Sequence, residues 1–395
     1  MKSDKNNFLS GFHHEECVQC GKCIATCHYM NLTPQEARTV MTEITGGPRY
    51  HDALSSCIRC GKCDYRCPKD ARPSDLMREL LAIKRQEDIK TPDSISYAIN
   101  GMGAEGWSPN FFKDVYRALP QKDKKILKEW AAPKKNKDLL WIGCADRMVP
   151  QNIENAHALR HLAKFGGPDD CCGVFAIQSG LFDEGYRTVK RLIHRLEENR
   201  FDRLVVACGH CQKMFTKVIP KLGIEFPFPM ISIYDYFLEL IASGEAIVRF
   251  KSTIDAAISD SCFGCENGED YMGNIRLLAQ TIGMNIVELP HNKKDAMCCG
   301  YGGLMTNGKV GDVVRCALIK RKDFALSGQK HILNYCPGCH LVNNYFQPGY
   351  KSHYLLEEVL KTLGEKLGSP YSVLYRRLLR PHLAYNLMKI STSAF

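Results

Sequence analysis

Two stretches, CVQCGKCIATCH at residues 17–28 and CIRCGKCDYRCP at residues 57–68, each place four cysteines within eleven residues. Three thiolates at i, i+3 and i+6 on one tight loop can reach three corners of a cube, and Gly21 or Gly61 lets the backbone bend closely around it. Zinc favours two separated CxxC pairs that close a tetrahedron, so this spacing points to iron-sulfur chemistry. In two-cluster ferredoxins the fourth cysteine of each run serves the other cluster. Cys17, Cys20, Cys23 and Cys67 are therefore expected to hold one [4Fe-4S] cubane, and Cys57, Cys60, Cys63 and Cys27 the other. The second run ends in Cys67-Pro68, as the bacterial pattern does, while the first ends in Cys27-His28.

The last two thirds of the chain carries a second kind of cysteine pattern, and carries it twice. DLLWIGC ends at Cys144, CCG occupies 171–173, and RLVVACGHC brings Cys208 and Cys211; then AAISDSC ends at Cys262, CCG occupies 298–300, and HILNYCPGC brings Cys336 and Cys339. The cysteine pair and the following CxxC are separated by 35 residues in one half and 36 in the other. Cys144, Cys171, Cys172, Cys208 and Cys211 thus form one set of five, and Cys262, Cys298, Cys299, Cys336 and Cys339 a second, one more in each case than a cubane requires. Two adjacent thiolates can bind adjacent irons, so an unusual cluster with a bridging thiolate suits five ligands. A zinc ion, or an ordinary cubane with a spare cysteine, is the alternative. Gly173, Gly300, Gly302 and Gly303 are expected to bring backbone amides near cluster sulfur, an interaction that tunes potential.

These cysteines need elements to position them. Between the first two runs, NLTPQEARTVMTEI predicts a helix capped by Thr33, with Pro34 at its first position and Glu36 closing a capping box. SDLMRELLAIKRQE predicts another, with Ser74 or Asp75 as cap. In the later halves, DEGYRTVKRLIHRLEENR and VGDVVRCALIKRKDFAL read as helices that precede β-rich runs, and FPMISIYDYFLELIAS and KSHYLLEEVLKTL repeat the alternation. The expected fold is α+β and multidomain: a helical dicluster ferredoxin domain at 1–90, a helical linker at 91–138, two pseudo-repeated α/β lobes at 139–250 and 251–365, and a basic tail at 366–395. Ligands in such sheets gather outside the carboxyl ends of the strands, where Cys144, Cys208 and Cys336 fall.

At 395 residues the chain has ample apolar content for a buried core, and its twenty cysteines are the anomaly in an otherwise ordinary composition. No stretch approaches the roughly 18–20 apolar residues of a membrane span, and no signal-peptide run stands at the start. The expectation is a cytoplasmic protein, or one held at a membrane through a partner subunit. In such a compartment closely spaced cysteines are ligands rather than disulfides. The formal charge of +10 counts every thiol as neutral; four clusters at roughly −2 each would nearly cancel it, so nucleic-acid binding does not follow. GMGAEG at 101–106 matches GxGxxG formally but runs into Trp107-Ser108-Pro109, and no flavin or nicotinamide motif is present. The lysine-rich KDKKILKEWAAPKKNKD reads as a solvated face, or else a docking surface for an acidic partner. The tail KLGSPYSVLYRRLLRPHLAYNLMKISTSAF, with five lysines and arginines and no acidic residue, suits a packed helix, a partner-docking segment or a membrane-surface contact.

Two CxxCxxCxxxC runs followed by two CX(n)CCGX(n)CxxC repeats resemble the D subunit of heterodisulfide reductase, itself similar to a fusion of the C and B subunits, over nearly the whole chain. The resemblance implies two [4Fe-4S] cubanes in the ferredoxin part and two non-cubane [4Fe-4S] clusters at the ten later cysteines, between which a mixed disulfide of coenzymes M and B is reductively cleaved. It implies that those ten cysteines are catalytic as well as ligating. It also implies partners: a flavoprotein or cytochrome redox subunit, other iron-sulfur subunits, and a thiol or disulfide substrate. The same architecture is similar to iron-sulfur subunits of anaerobic glycerol-3-phosphate dehydrogenase and glycolate oxidase, which makes an electron relay between a flavoprotein dehydrogenase and a quinone or cytochrome the competing expectation. A zinc-bound scaffold is a third, and metal analysis separates it.

The first repeat has 26 residues between Cys144 and Cys171 where the second has 35 between Cys262 and Cys298, and the family resembles the longer spacing, so Cys144 is the ligand the pattern fixes least. Cys265, three residues after Cys262, is an extra thiol, expected either as an alternative ligand or as a free structural cysteine. Cys316 is expected to be a buried, inert thiol. His210 and His340 flank the two CxxC elements and are expected to be satisfied or exposed rather than proton donors.

Overall fold

The computed structural model describes residues 11–47, 49–87, 111–133, 135–307 and 309–368. GMGAEG and all of the basic tail beyond 368 lie outside the described residues.

The N-terminal part is helical, as expected. The helix Pro34–Gly46 buries Ala37, Val40, Met41 and Ile44, the i, i+3, i+4, i+7 stripe that turns one face inward. Its predicted start is correct: the Thr33 hydroxyl accepts from the Glu36 amide, and the Thr33 amide donates to the Glu36 carboxylate at 2.8 Å. The start of the helix Pro73–Glu87 differs from expectation. Ser74 and Asp75 lie inside its first turn, and the group that accepts from it comes from outside: Asp64, in the second cysteine run, takes the Ser74 amide at 2.7 Å and its hydroxyl at 2.6 Å. Asp75 is thereby released to pair with Arg72 at 2.9 Å and Lys221 at 3.0 Å.

Gly21 shows how closely the first run is held. Its φ is +72°, and a Cβ there would lie 2.5 Å from the Arg38 amide nitrogen. Gly21→Ala is expected to cost roughly 2–4 kcal/mol and to lower the thermal midpoint by about 5–10 °C, followed by far-ultraviolet circular dichroism of anaerobic protein. Gly46→Ala, where nothing lies within 4 Å, is the control and should move it by less than about 2 °C.

Two four-stranded parallel sheets follow. Strands β1 (Asp138–Trp141), β2 (Ala163–Phe165), β3 (Arg203–Val206) and β4 (Met230–Ser232) lie in the order β2-β1-β3-β4. Strands β5 (Asp255–Ser259), β6 (Asn285–Glu288), β7 (His331–Asn334) and β8 (Lys351–Tyr354) lie in the order β6-β5-β7-β8. The central strands read DLLW, RLVV, DAAIS and HILN and are buried almost throughout, as parallel strands covered on both faces must be. The helices predicted before β3 and β7 are Phe182–Glu197 and Val310–Leu326.

The segment expected to be a linker is not free where it is described. The helices Phe111–Ala118 and Gln121–Trp130 put Phe112, Val115, Ile126, Leu127 and Trp130 into the same core as the first sheet. Lys122, Lys125 and Lys128 of the lysine-rich stretch face solvent.

One apolar core runs through both lobes. Between them Tyr354 donates to Asp146 at 3.0 Å and Tyr234 to the Tyr335 carbonyl at 2.8 Å. The helix Pro73–Glu87 packs on the first lobe, where a Cβ on Gly180 would meet the Ala82 nitrogen at 2.8 Å. The cysteine loop before that helix faces the second lobe instead: Asn307 donates to the Cys57 carbonyl at 3.0 Å, and Arg315 to the Tyr29 and Ser56 carbonyls at 2.8 and 2.9 Å.

Candidate functional site

Both cysteine runs turn by the same device. Gln19 and Gly21 have φ of 52° and 72°, and Arg59 and Gly61 have 58° and 74°, so left-handed residues alternate with cysteines and make each loop concave toward its sulfurs. Gly21 and Gly61 were legible as flexible points; Gln19 and Arg59 carried no such signal, because they are not glycine. Cys17, Cys20, Cys23 and Cys67 line one cavity of ≈ 20 Å³. Cys27, Cys57, Cys60 and Cys63 line another of ≈ 40 Å³, and Cys23 stands on the wall of both. The exchange of the fourth cysteine between the runs is therefore what the fold brings together. Burial holds the Cys60 and Cys63 thiols well above their usual range, and neighbouring sulfurs add to it.

The ten later cysteines sit beyond the carboxyl ends of the strands. Cys144 follows β1, Cys208 follows β3, Cys262 follows β5 and Cys336 follows β7. Cys208 and Cys336 are the N-cap residues of the helices Gly209–Lys213 and Pro337–Phe346, and the Cys336 sulfur accepts from the Cys339 amide at 3.4 Å. The CCG segments enter on loops after the edge strands β2 and β6. Gly173 and Gly300, with φ of 78° and 89°, turn their amides back onto the Cys171 and Cys298 sulfurs at 3.3 and 3.4 Å. Gly302 and Gly303 lie in the first turn of the helix Tyr301–Asn307, and a Cβ on Gly303 would meet Ile58 at 3.1 Å, so its small size serves the packing of the cysteine loop.

Within each lobe the sulfurs lie in series, each influencing the next. In the first, Cys171, Cys172, Cys211 and Cys208 are linked, and Cys144 lies among them near Cys208 and Cys172. Cys172 accepts from Cys171 and Cys211, which pulls its thiol well below the usual range while Cys171 is pushed up. In the second, Cys262, Cys298, Cys299, Cys339 and Cys336 follow one another. Cys265 stands apart, 3.1 Å from the buried Lys62 ammonium and 2.9 Å from the Lys293 carbonyl. Cys316 is fully buried, as expected, but it lies directly beneath Gly300 in an apolar cluster with Tyr29, Ile58 and Cys298.

Four residues near these sulfurs were missed in the sequence. Arg147 is completely buried, donating to the carbonyls of Ile142 at 2.8 Å, Gly167 at 2.7 Å and Asp170, while its Nη2 has no partner. Burial pushes the Cys144 thiol up to about 12, and the Arg147 charge opposes that. Lys320, also buried, donates to the Met297 carbonyl at 2.9 Å and favours the thiolates of Cys299 and Cys339. Tyr29 donates to the Cys298 carbonyl at 3.0 Å from two residues beyond Cys27. Tyr301 lines the ≈ 30 Å³ cavity that also holds Cys144, Cys172, Cys208, Cys211 and Cys336, and its buried hydroxyl has no partner. Burial keeps that phenol protonated far above its ordinary range. The available signal was position, since Tyr301 directly follows the second CCG and Arg147 lies three residues beyond Cys144.

The two histidines divide. His210 sits between the lobes with its Nε2 3.8 Å from the Cys262 sulfur, packed on Phe175 and Phe263. His340 bonds Ser352 at 2.9 Å and stacks on Tyr354, and burial lowers its pKa to about 3.

Residues 16–72 match the 4Fe-4S dicluster domain family, and residues 139–216 and 256–342 each match the cysteine-rich domain family. Over 405 residues the chain is 22% identical to the D subunit of dihydromethanophenazine:CoB–CoM heterodisulfide reductase from Methanosarcina barkeri, covering 90% of this chain and 94% of that one. The chain resembles that D subunit along most of its length. The B subunit of fumarate reductase (CoM/CoB) from Methanothermobacter marburgensis is also 22% identical, over 82% of this chain and 66% of its own. The C subunit of ferredoxin:CoB-CoM heterodisulfide reductase from Methanosarcina acetivorans matches at 27% over 79 residues, 19% of this chain and 32% of its own. The chain is thus an iron-sulfur oxidoreductase subunit, and the relatives it resembles are subunits of reductases. Among the described residues no helix is long and apolar enough to cross a membrane.

The donor set fits iron-sulfur cofactors. All twenty cysteines are free, and eighteen of them converge in groups of four or five. So many mutually repelling thiolates are tolerable only with compensating positive charge, which Arg147, Lys320 and any bound iron provide.

Proposed function

We propose that this chain reductively cleaves a disulfide in the space between its two cysteine-rich lobes, as the redox subunit of a larger complex. The observation that carries the reading is the cavity shared by the two lobes, where the first five-cysteine site, Cys336 of the second, and the unpartnered Tyr301 hydroxyl meet. Cys17, Cys20, Cys23 and Cys67, and Cys27, Cys57, Cys60 and Cys63, would hold two cubanes; the two later sets would hold two non-cubane clusters. Such clusters supply one-electron transfer when bound. The four cysteine sites form an ordered series. Cys23 is common to the first two cavities. Cys60 and Tyr29 abut Cys298 of the second lobe, and His210 and Tyr301 connect that lobe to the first. The two lobes, taken as copies of one unit over 139–250 and 251–365, present their strand ends to each other. Two electrons and two protons convert one disulfide to two thiols, and the electrons come from a flavoprotein, cytochrome or iron-sulfur partner.

The protein's own residues then have distinct tasks. Arg147 and Lys320 offset negative charge, the aromatic walls of Phe175, Phe263 and Tyr301 exclude water, and the Tyr301 hydroxyl donates a proton to the departing sulfur. Tyr301→Phe is expected to slow single-turnover cleavage by about 10²-fold with iron content unchanged; cleavage at the wild-type rate would remove the tyrosine from the mechanism.

The function itself is tested by electron paramagnetic resonance during an anaerobic redox titration, with and without a small thiol. A signal that develops on oxidation only when thiol is present supports sulfur chemistry at the later cysteines. Signals indifferent to thiol point to a relay between a flavoprotein dehydrogenase and a quinone or cytochrome.

A further inference from the structure

The Cys27-His28 departure from the bacterial Cys-Pro pattern has a structural partner. His28 projects from the N-terminal part toward His291 and Asp295 of the second lobe, and one donor atom from each of the three lies within 4.8 Å of the others. The two imidazole rings stand edge to face with centroids 5.2 Å apart. His28 Nε2 is buried and has no hydrogen-bond partner, an arrangement that folding disfavours unless something binds there. His291 is already oriented: Asp323, whose carboxylate is fully buried, accepts from its backbone amide at 3.2 Å and bonds its Nδ1 at 2.9 Å. That leaves His291 Nε2 facing Asp295, 3.9 Å from Oδ2. Asp295 itself is exposed, and its Oδ1 is 3.3 Å from Arg66.

We infer that His28, His291 and Asp295 form a divalent metal site of the zinc class, separate from the cysteine sites, that clamps the N-terminal part to the second lobe. The chemistry of the donors favours this assignment. Two neutral imidazoles and one carboxylate suit a borderline ion such as Zn²⁺, with solvent completing the shell. A carboxylate behind the ligating histidine is the usual device for fixing its tautomer and orientation, and Asp323 supplies it. A tetrahedral ion about 2.1 Å from each donor sets donors roughly 3.4 Å apart, so the side chains must close by about an ångström. Asp295, on an exposed turn, can make that move by releasing its Oδ1 contact with Arg66. The inference does not depend on disulfide cleavage.

The test uses anaerobic holoprotein dialysed against buffered Zn²⁺, with zinc and iron measured by mass spectrometry. One zinc per chain beyond the chelator-treated baseline is expected, with iron content and the resonance spectrum unchanged, and with the thermal midpoint raised by several degrees. His28→Gln and the surface change Asp295→Asn should each weaken zinc uptake at least tenfold. Equal uptake by wild type and both variants, uptake matched by iron loss, or no uptake at low micromolar zinc would overturn the site. Any of these would leave His28 and His291 as an interdomain contact only.

Discussion

Replacing Cys299 or Cys336 by alanine is expected to abolish disulfide cleavage, a loss of at least roughly 10³-fold, since even outer-sphere partners of metal ligands cost 10–100-fold. Both residues are in the second five-cysteine series, and Cys336 also faces the cavity of the first. Iron should fall by about four per chain, while the resonance signals of the N-terminal cavities persist, because Cys299 and Cys336 lie on neither. Measuring iron, spectrum and single-turnover cleavage on the same sample makes the outcome decisive. If every signal vanished together, the division between electron-carrying and substrate-facing sites would be wrong.

Arg147→Met is expected to have the largest effect on stability outside the cysteines. The substitution preserves bulk but removes the donors to the Ile142, Gly167 and Asp170 carbonyls, and it removes the positive charge nearest Cys144. Breaking such a buried network costs about 3–5 kcal/mol, which corresponds to a fall of about 10 °C in thermal midpoint. Iron in the first lobe should be lost before iron elsewhere. Arg147→Lys keeps the charge without the planar fork and should fall between the two. A drop of less than about 1 kcal/mol for Arg147→Met would mean that the guanidinium is neither a structural nor an electrostatic support.

The elements that hold the cysteines were largely legible, because each rests on a local rule. The Thr33 capping box and the helices before β3 and β7 needed only short-range spacing, and they stand where expected. The errors come from distant partners. Asp64 displaced the expected cap at Ser74, and packing against the first sheet drew the supposed linker helices into the core. None of these partners is a neighbour in sequence, so no local pattern could have announced them.

By itself the sequence determined the groups of cysteines, their spacing, the alternation of strand and helix that delivers them, and the kinship with the D subunit of heterodisulfide reductase. Ligand spacing and hydrophobic period are properties of a few consecutive residues, and a chain carries them wherever it goes. Only the tertiary structure decided that the cysteine loop of the N-terminal part meets the second lobe rather than the first, through Tyr29, Cys60 and Cys298. It also decided that Cys144 joins its lobe's sulfurs while Cys265 turns to Lys62, and that His210 reaches the other lobe while His340 is buried among its own neighbours. Each of these choices depends on which surfaces pack together and which charges are buried with them, and burial sums over residues hundreds of positions apart.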